Sequence, residues 1–152
     1  MRIRLHNIFL QIAVAALLLF GYQSVAKAQC NWISGPFVSD RTVVRGQSVD
    51  LWGTLRNCSD SQQRMYYRFV LLPDCTGREA VIFTSSSNTY NAGESKATYT
   101  HWKVPSGYVI SIFKFEEKLC SGQASVILRL YQKNFWGSSH LVSQSAVRVT
   151  VR

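Results

Sequence analysis

Histidine and acidic residues are scarce in this sequence, and each shortage closes off a class of function. There are three histidines in 152 residues, and His6 falls in a leading segment set apart below, so a hydrolytic triad would have to use His101 or His140. His101 lies in a strand-like run beside Thr100 and Trp102. His140 lies in a Gly-Ser turn, and neither belongs to a Gly-x-Ser-x-Gly nucleophile motif. The acidic residues number eight. Glu116 and Glu117 are adjacent, so in an extended chain they point to opposite faces and cannot flank one glycosidic bond. No Cys-x-x-Cys, glycine-rich phosphate loop or calcium loop occurs, which removes the zinc-knuckle, thioredoxin-like and nucleotide readings. No catalytic residue, metal ligand or cofactor is therefore expected. Long helical periodicity is also missing past residue 28.

The N-terminus is basic (Met-Arg-Ile-Arg-Leu-His), Ile8 to Phe20 is almost continuously apolar, and Ala26-Lys27-Ala28 places small residues where a signal peptidase inspects them. These features predict a cleaved signal peptide over 1–28 and one domain over 29–152, secreted, periplasmic or at the cell surface, with no permanent membrane span. Gln29, standing directly before Cys30, argues against lipid attachment there. Arg2, Arg4 and Lys27 leave with the signal, so 14 basic residues face 8 acidic ones, a charge of +6. That balance suits acidic glycans, lipid surfaces or proteins, and nucleic acid is not an expected partner. All four cysteines, Cys30, Cys58, Cys75 and Cys120, survive cleavage, and an even count in a small exported chain predicts disulfides, with three connectivities open.

What remains is rich in Val, Ile, Thr, Tyr, Phe and Trp broken by turn formers, which predicts about eight strands in an all-β sandwich or small barrel. The runs are 32–44, 49–56, 64–72, 80–84, 97–104, 108–115, 124–131 and 141–151. In the second, Val49, Leu51 and Leu55 share the inner face and Asp50, Trp52, Thr54 and Arg56 the outer. Gly53 interrupts the inner row, marking a bulge or a close approach of another segment. Val126, Leu128 and Leu130 are expected inward with Val147, Val149 and Val151.

Gly46-Gln-Ser-Val-Asp-Leu-Trp-Gly-Thr-Leu-Arg-Asn57 resembles the second strand of bacterial immunoglobulin-like modules of the CARDB type. Ala92-Gly-Glu-Ser95 followed by Thr98-Tyr-Thr-His-Trp-Lys-Val-Pro105 is similar to a later strand of theirs, and Ala146 to Val151 suits their last. The four cysteines and the run 108–115 depart from the pattern. The resemblance implies an immunoglobulin-like antiparallel β-sandwich and brings no catalytic residues with it. It also implies disulfides: with the first strand antiparallel to the second, Cys30 faces Cys58. Cys75, tens of ångströms from Cys58 at about 3.3 Å per residue, is left to Cys120.

Two binding surfaces are predicted. Arg129, Tyr131, Arg148 and Arg152 face outward on one sheet, joined by Tyr66 and Arg68 if Phe69 and Leu71 are core, and this face suits carboxylates, sulfates or phosphates. Its plain structural reading is a solvated outer sheet. Trp52 and Trp102 form a candidate aromatic platform for a sugar, with Trp136 in the last hairpin loop as a further contact; indoles are commonly core residues instead. Asn57-Cys58-Ser59 fits the N-glycosylation pattern, though a bridged cysteine in its middle argues against use. The expected function is an exported, non-catalytic interaction or structural module that binds a protein or acidic surface. A carbohydrate-binding module and an enzyme inhibitor are the alternatives.

Overall fold

The computed structural model describes residues 30–106, 109–110, 116–117 and 119–152, and every regular element among them is a β-strand. In chain order these are β1 (Ile33–Val38), β2 (Thr42–Val43), β3 (Ser48–Arg56), β4 (Gln63–Pro73), β5 (Ala80–Thr84), β6 (Asn88–Tyr90), β7 (Ser95–Lys103), β8 (Val109–Ile110), β9 (Glu116–Glu117), β10 (Gly122–Lys133) and β11 (Ser139–Val151). A three-stranded sheet runs β1-β3-β7, and a larger one runs β2-β11-β10-β4-β5 with β6 also on β4. Pairing is antiparallel except for β2 with β11.

The two sheets stack because each hides one row of an alternating strand. From β3 and β7 come Val49, Leu51, Leu55 and Trp102; from β4, β10 and β11 come Met65, Phe69, Leu71, Val126, Leu128, Leu130, Val149 and Val151, all in one buried cluster. The rows expected in β3 and β10 are the rows found, with Val147 half-buried against them. Gly53 does mark a close approach: a Cβ there would meet Leu128 Cδ2 at 2.8 Å and the Ser34 carbonyl oxygen at 2.9 Å. Opposite it, β1 carries an irregularity between Ser34 and Phe37, where Pro36 sits in an edge strand and gives up no ladder hydrogen bond.

One expectation about strands needs correction. The run 32–44 is not one strand but two, β1 in the small sheet and β2 in the large one. The chain turns between them because Asp40 Oδ1 accepts the Thr42 N–H at 2.7 Å, after which Arg41 and Val43 carbonyls accept from Thr150 and Arg152. Of the run 108–115 the described residues are Val109–Ile110, a strand that pairs with Glu116–Glu117; Tyr108 and 111–115 lie outside the described residues.

Cys75 is bonded to Cys120, with 6.5 Å between their Cα atoms, tying the loop after β4 to the segment before β10. No cysteine is free, so Cys30 is bonded to Cys58 and both expected pairings are found. Among the described residues no helix is long and apolar enough to cross a membrane.

Candidate functional site

The outer face of the large sheet collects most of the expected arginines and tyrosines. Register places Arg68 beside Arg129 and Tyr66 beside Tyr131. The two tyrosine rings stack 5.0 Å apart and nearly parallel, and the Arg68 guanidinium lies 5.6 Å from one ring and 5.2 Å from the other. Arg129 and Arg148 are occupied differently. Arg129 grips both oxygens of Glu79 and reaches Gln144 through Nε at 3.0 Å, while Arg148 grips both oxygens of Asp74 and the Ser125 hydroxyl. Arg152 is exposed at the end of β11, four residues past Arg148, where its backbone is paired with β2.

These bridges have a packing role. Val70 and Ile127 face this outer side and lie outside the two-sheet core, yet both are buried. Since β4 lies between β10 and Glu79, the Arg129–Glu79 bridge crosses it, laying an arginine stem over that apolar pair. Two of the expected binding arginines thus already hold carboxylates, and the face carries less free charge than its residue types suggest.

The outer face of the small sheet is aromatic. Phe37 opposes Trp52 in β1–β3 and Trp52 opposes Tyr99 in β3–β7, so three rings lie in one row across three strands. Phe37 is 46% exposed, Trp52 39% and Tyr99 59%. The Phe37 and Trp52 centroids are 6.0 Å apart with a 31° tilt. A shallow groove of about 360 Å³ beside this row is lined by Phe37, Trp52, Arg41 and Val147 among others.

The platform expected from Trp52 and Trp102 does not form. Trp102 opposes Val49, is 8% exposed and belongs to the core. Parity then turns Tyr99 and His101 outward in its place and buries Thr98, whose hydroxyl donates to the Gly53 carbonyl at 3.1 Å. Trp136 stands apart as well, in the β10–β11 turn. Sequence reasoning missed Phe37 and Tyr99. The signal for Tyr99 was the β3–β7 register, which fixes its face once Val49 is known to be inward; for Phe37 the irregularity at Pro36 breaks simple alternation.

Polar groups border the aromatic row. Tyr99 Oη donates to Asp50 Oδ1 at 2.6 Å, and His101 Nδ1 lies 2.8 Å from the same oxygen. The Tyr99 hydrogen bond, followed by the one from His101, holds the Asp50 carboxyl below the usual carboxylate range, and the same bond raises the Tyr99 phenol. The arrangement presents flat apolar rings edged by oriented hydrogen-bonding groups.

Asp74 and Glu79 are also held low, each chiefly by its arginine, and Glu94 by the backbone N–H of Asn91. A depressed folded-state pKa gives stability that is present above the unfolded value and is lost as pH falls through the folded one. Thermal stability should therefore be flat from neutrality to about pH 5 and decline below about pH 4. Because the groups are largely exposed the decline is shallow. Melting temperature against pH is the measurement, with Glu79→Gln flattening the acid limb; a rise on acidification would contradict the assignment.

No protein-family model and no curated protein matches the sequence. Among solved structures, the Pseudomonas fluorescens alkylpurine DNA glycosylase AlkC superposes with a TM-score of 0.53 at 13% identity, over 79% of this chain and 30% of that one. A β-glucosidase from Erythrobacter marinus gives 0.53 at 9% identity, over 79% and 15%. This chain thus spans less than a third of either protein, and the likeness is one of fold alone. The CARDB domain of the PF1109 protein from Pyrococcus furiosus aligns over 78% of this chain and 87% of its own at 10% identity. Its TM-score is 0.47.

Proposed function

We propose that this protein is an exported, non-catalytic binding module of immunoglobulin-like fold whose ligand is a saccharide laid across Phe37, Trp52 and Tyr99. One observation carries the reading: three large exposed rings occupy a single cross-strand row on the outer face of the small sheet. The apolar C–H face of a pyranose packs on such rings, and its hydroxyls meet the polar edge made by Asp50, the Tyr99 hydroxyl and His101. The oxidised cysteines accord with an exported protein.

A glycan array followed by calorimetry on its hits is the test. Trp52→Ala and Tyr99→Ala are each expected to weaken binding by about tenfold, the loss of one buried aromatic contact, with Trp136→Ala unchanged. Binding to a neutral sugar should vary little with salt. Array hits that survive both substitutions would end the proposal. A second reading, docking of a protein or acidic surface on the larger sheet, draws on Arg68, whose charge is faced by tyrosine rings and whose Nε has no hydrogen-bond partner. It calls for binding that is steeply salt-dependent and lost in Arg68→Ala.

A further inference from the structure

The longest hairpin ends in two aromatic side chains that nothing in the fold uses. Phe135 is 95% exposed and Trp136 88%, well beyond any ring of the sheet faces, and they meet edge-on 5.6 Å apart at the tip. We propose that this tip is a membrane-docking element that places both rings in the interface of an anionic lipid bilayer, an activity separate from the saccharide row.

Three features favour a bilayer as the occupant. First, the turn is closed by its own hydrogen bonds: Asn134 N–H donates to the Ser138 carbonyl at 2.9 Å, Gly137 N–H to the Asn134 carbonyl at 3.1 Å, and the Asn134 side-chain amide to the Ser138 hydroxyl. Entering an interface therefore strips water from two rings while the groups that close the turn stay paired. Second, cations stand one step behind the rings. Lys133 lies at the base of the tip directly opposite Arg64, its ammonium 5.7 Å from the Tyr66 ring, so both charges reach lipid phosphates when the rings reach the acyl boundary. Glu94, at the same end of the sandwich, is already paired with Lys96 at 3.3 Å, and Asp60 in the neighbouring loop leaves the balance positive. Third, the rings project from a turn almost fully into solvent, so they suit a fluid layer that needs no matching shape.

Sedimentation of the oxidised protein with vesicles of one part phosphatidylglycerol to three of phosphatidylcholine, against phosphatidylcholine alone, tests this. The protein should partition to the anionic vesicles, with its tryptophan emission shifted blue and quenched by bromine-labelled acyl chains. Phe135→Ser/Trp136→Ser should weaken partitioning by about tenfold or more and abolish the shift while leaving the melting temperature unchanged, since both rings are exposed. Lys133→Gln should weaken it less, and the effect should fade with salt. Trp52→Ala should leave it untouched, so this proposal and the saccharide one fail separately. No binding to anionic vesicles overturns the inference, as does binding that the double variant retains, because the basic surface alone would then be responsible.

Discussion

Asn57→Ala is expected to cost about 2–4 kcal/mol of folding stability, and Asn57→Asp at least as much. Asn57 is completely buried just past the end of β3, and its side chain ties the β3–β4 loop to the β6–β7 loop. Its Nδ2 donates to the carbonyls of Ser61 at 2.8 Å, Tyr90 at 3.1 Å and Asn91 at 3.0 Å, while Oδ1 accepts the Ser59 N–H and hydroxyl at 3.0 and 2.7 Å. Its backbone donates to Glu94 and accepts from Gly93, both at 2.9 Å. Alanine leaves these loop groups without a partner in a place water reaches poorly. Aspartate turns the side chain's donor group into a carboxylate oxygen facing three carbonyl oxygens. Urea unfolding measures both, and a loss under about 1 kcal/mol in each would mean the loops hold without that tie. The same geometry answers the glycosylation pattern at Asn57-Cys58-Ser59: the nitrogen that would carry a sugar is sealed among carbonyls, so the folded chain made in a glycosylating host should show no added mass there.

The sequence was readable where a strand has one face in the core and the other in water. In β3 and β10 the core rows alternate, with Gly53 the one gap in the first and Ile127 a buried residue on the far face of the second, and alternation is enough to say which residues meet. It failed in β7, where Trp102 and Thr98 point in and Tyr99 and His101 point out. Each face mixes an aromatic with a polar residue, so hydrophobicity cannot choose between them, and the choice is made by the neighbouring strand through Val49. The switch of sheet between β1 and β2 rests on one side-chain hydrogen bond from Asp40, a local event that leaves no period behind it. The arginines were placed on the right face but not given their partners. Glu79 and Asp74 lie in loops, 50 and 74 residues from Arg129 and Arg148, and a strand pattern carries no information across such distances. What looked like a basic recognition surface is partly a covering for Val70 and Ile127.

This division bears on function because the two outer faces have different duties. The large sheet bears most of the core rows on one side and keeps a second apolar strip on the other, covered by its own bridges, so substitutions there trade stability against charge. The small sheet buries only its inner row, and the aromatic row outside rests on strands whose spacing is set by the two glycines of the β1–β3 crossing.

At that crossing, Gly53→Ala should destabilise the fold by about 1–3 kcal/mol. The cost is one of space. A Cβ at residue 53 lies 2.8 Å from Leu128 Cδ2, which belongs to a buried side chain with little freedom to turn away, and 2.9 Å from the Ser34 carbonyl oxygen, which is backbone and moves only if β1 moves. Gly35, at φ +106°, has its own Cβ direction 3.1 Å from the Gly53 Cα, so the strands approach where neither carries a side chain. Relief by shifting β1 would carry Phe37 away from Trp52, and saccharide affinity should fall along with stability. Leu128→Ala separates the two clashes. If the contact with Leu128 dominates, Gly53→Ala costs less in that background than in the native one, a coupling readable from a double-mutant cycle. If the Ser34 carbonyl dominates, the costs add and the affinity loss persists. A neutral Gly53→Ala in both backgrounds would mean that β1 does not pack on β3 as described, and the aromatic row would lose its first ring.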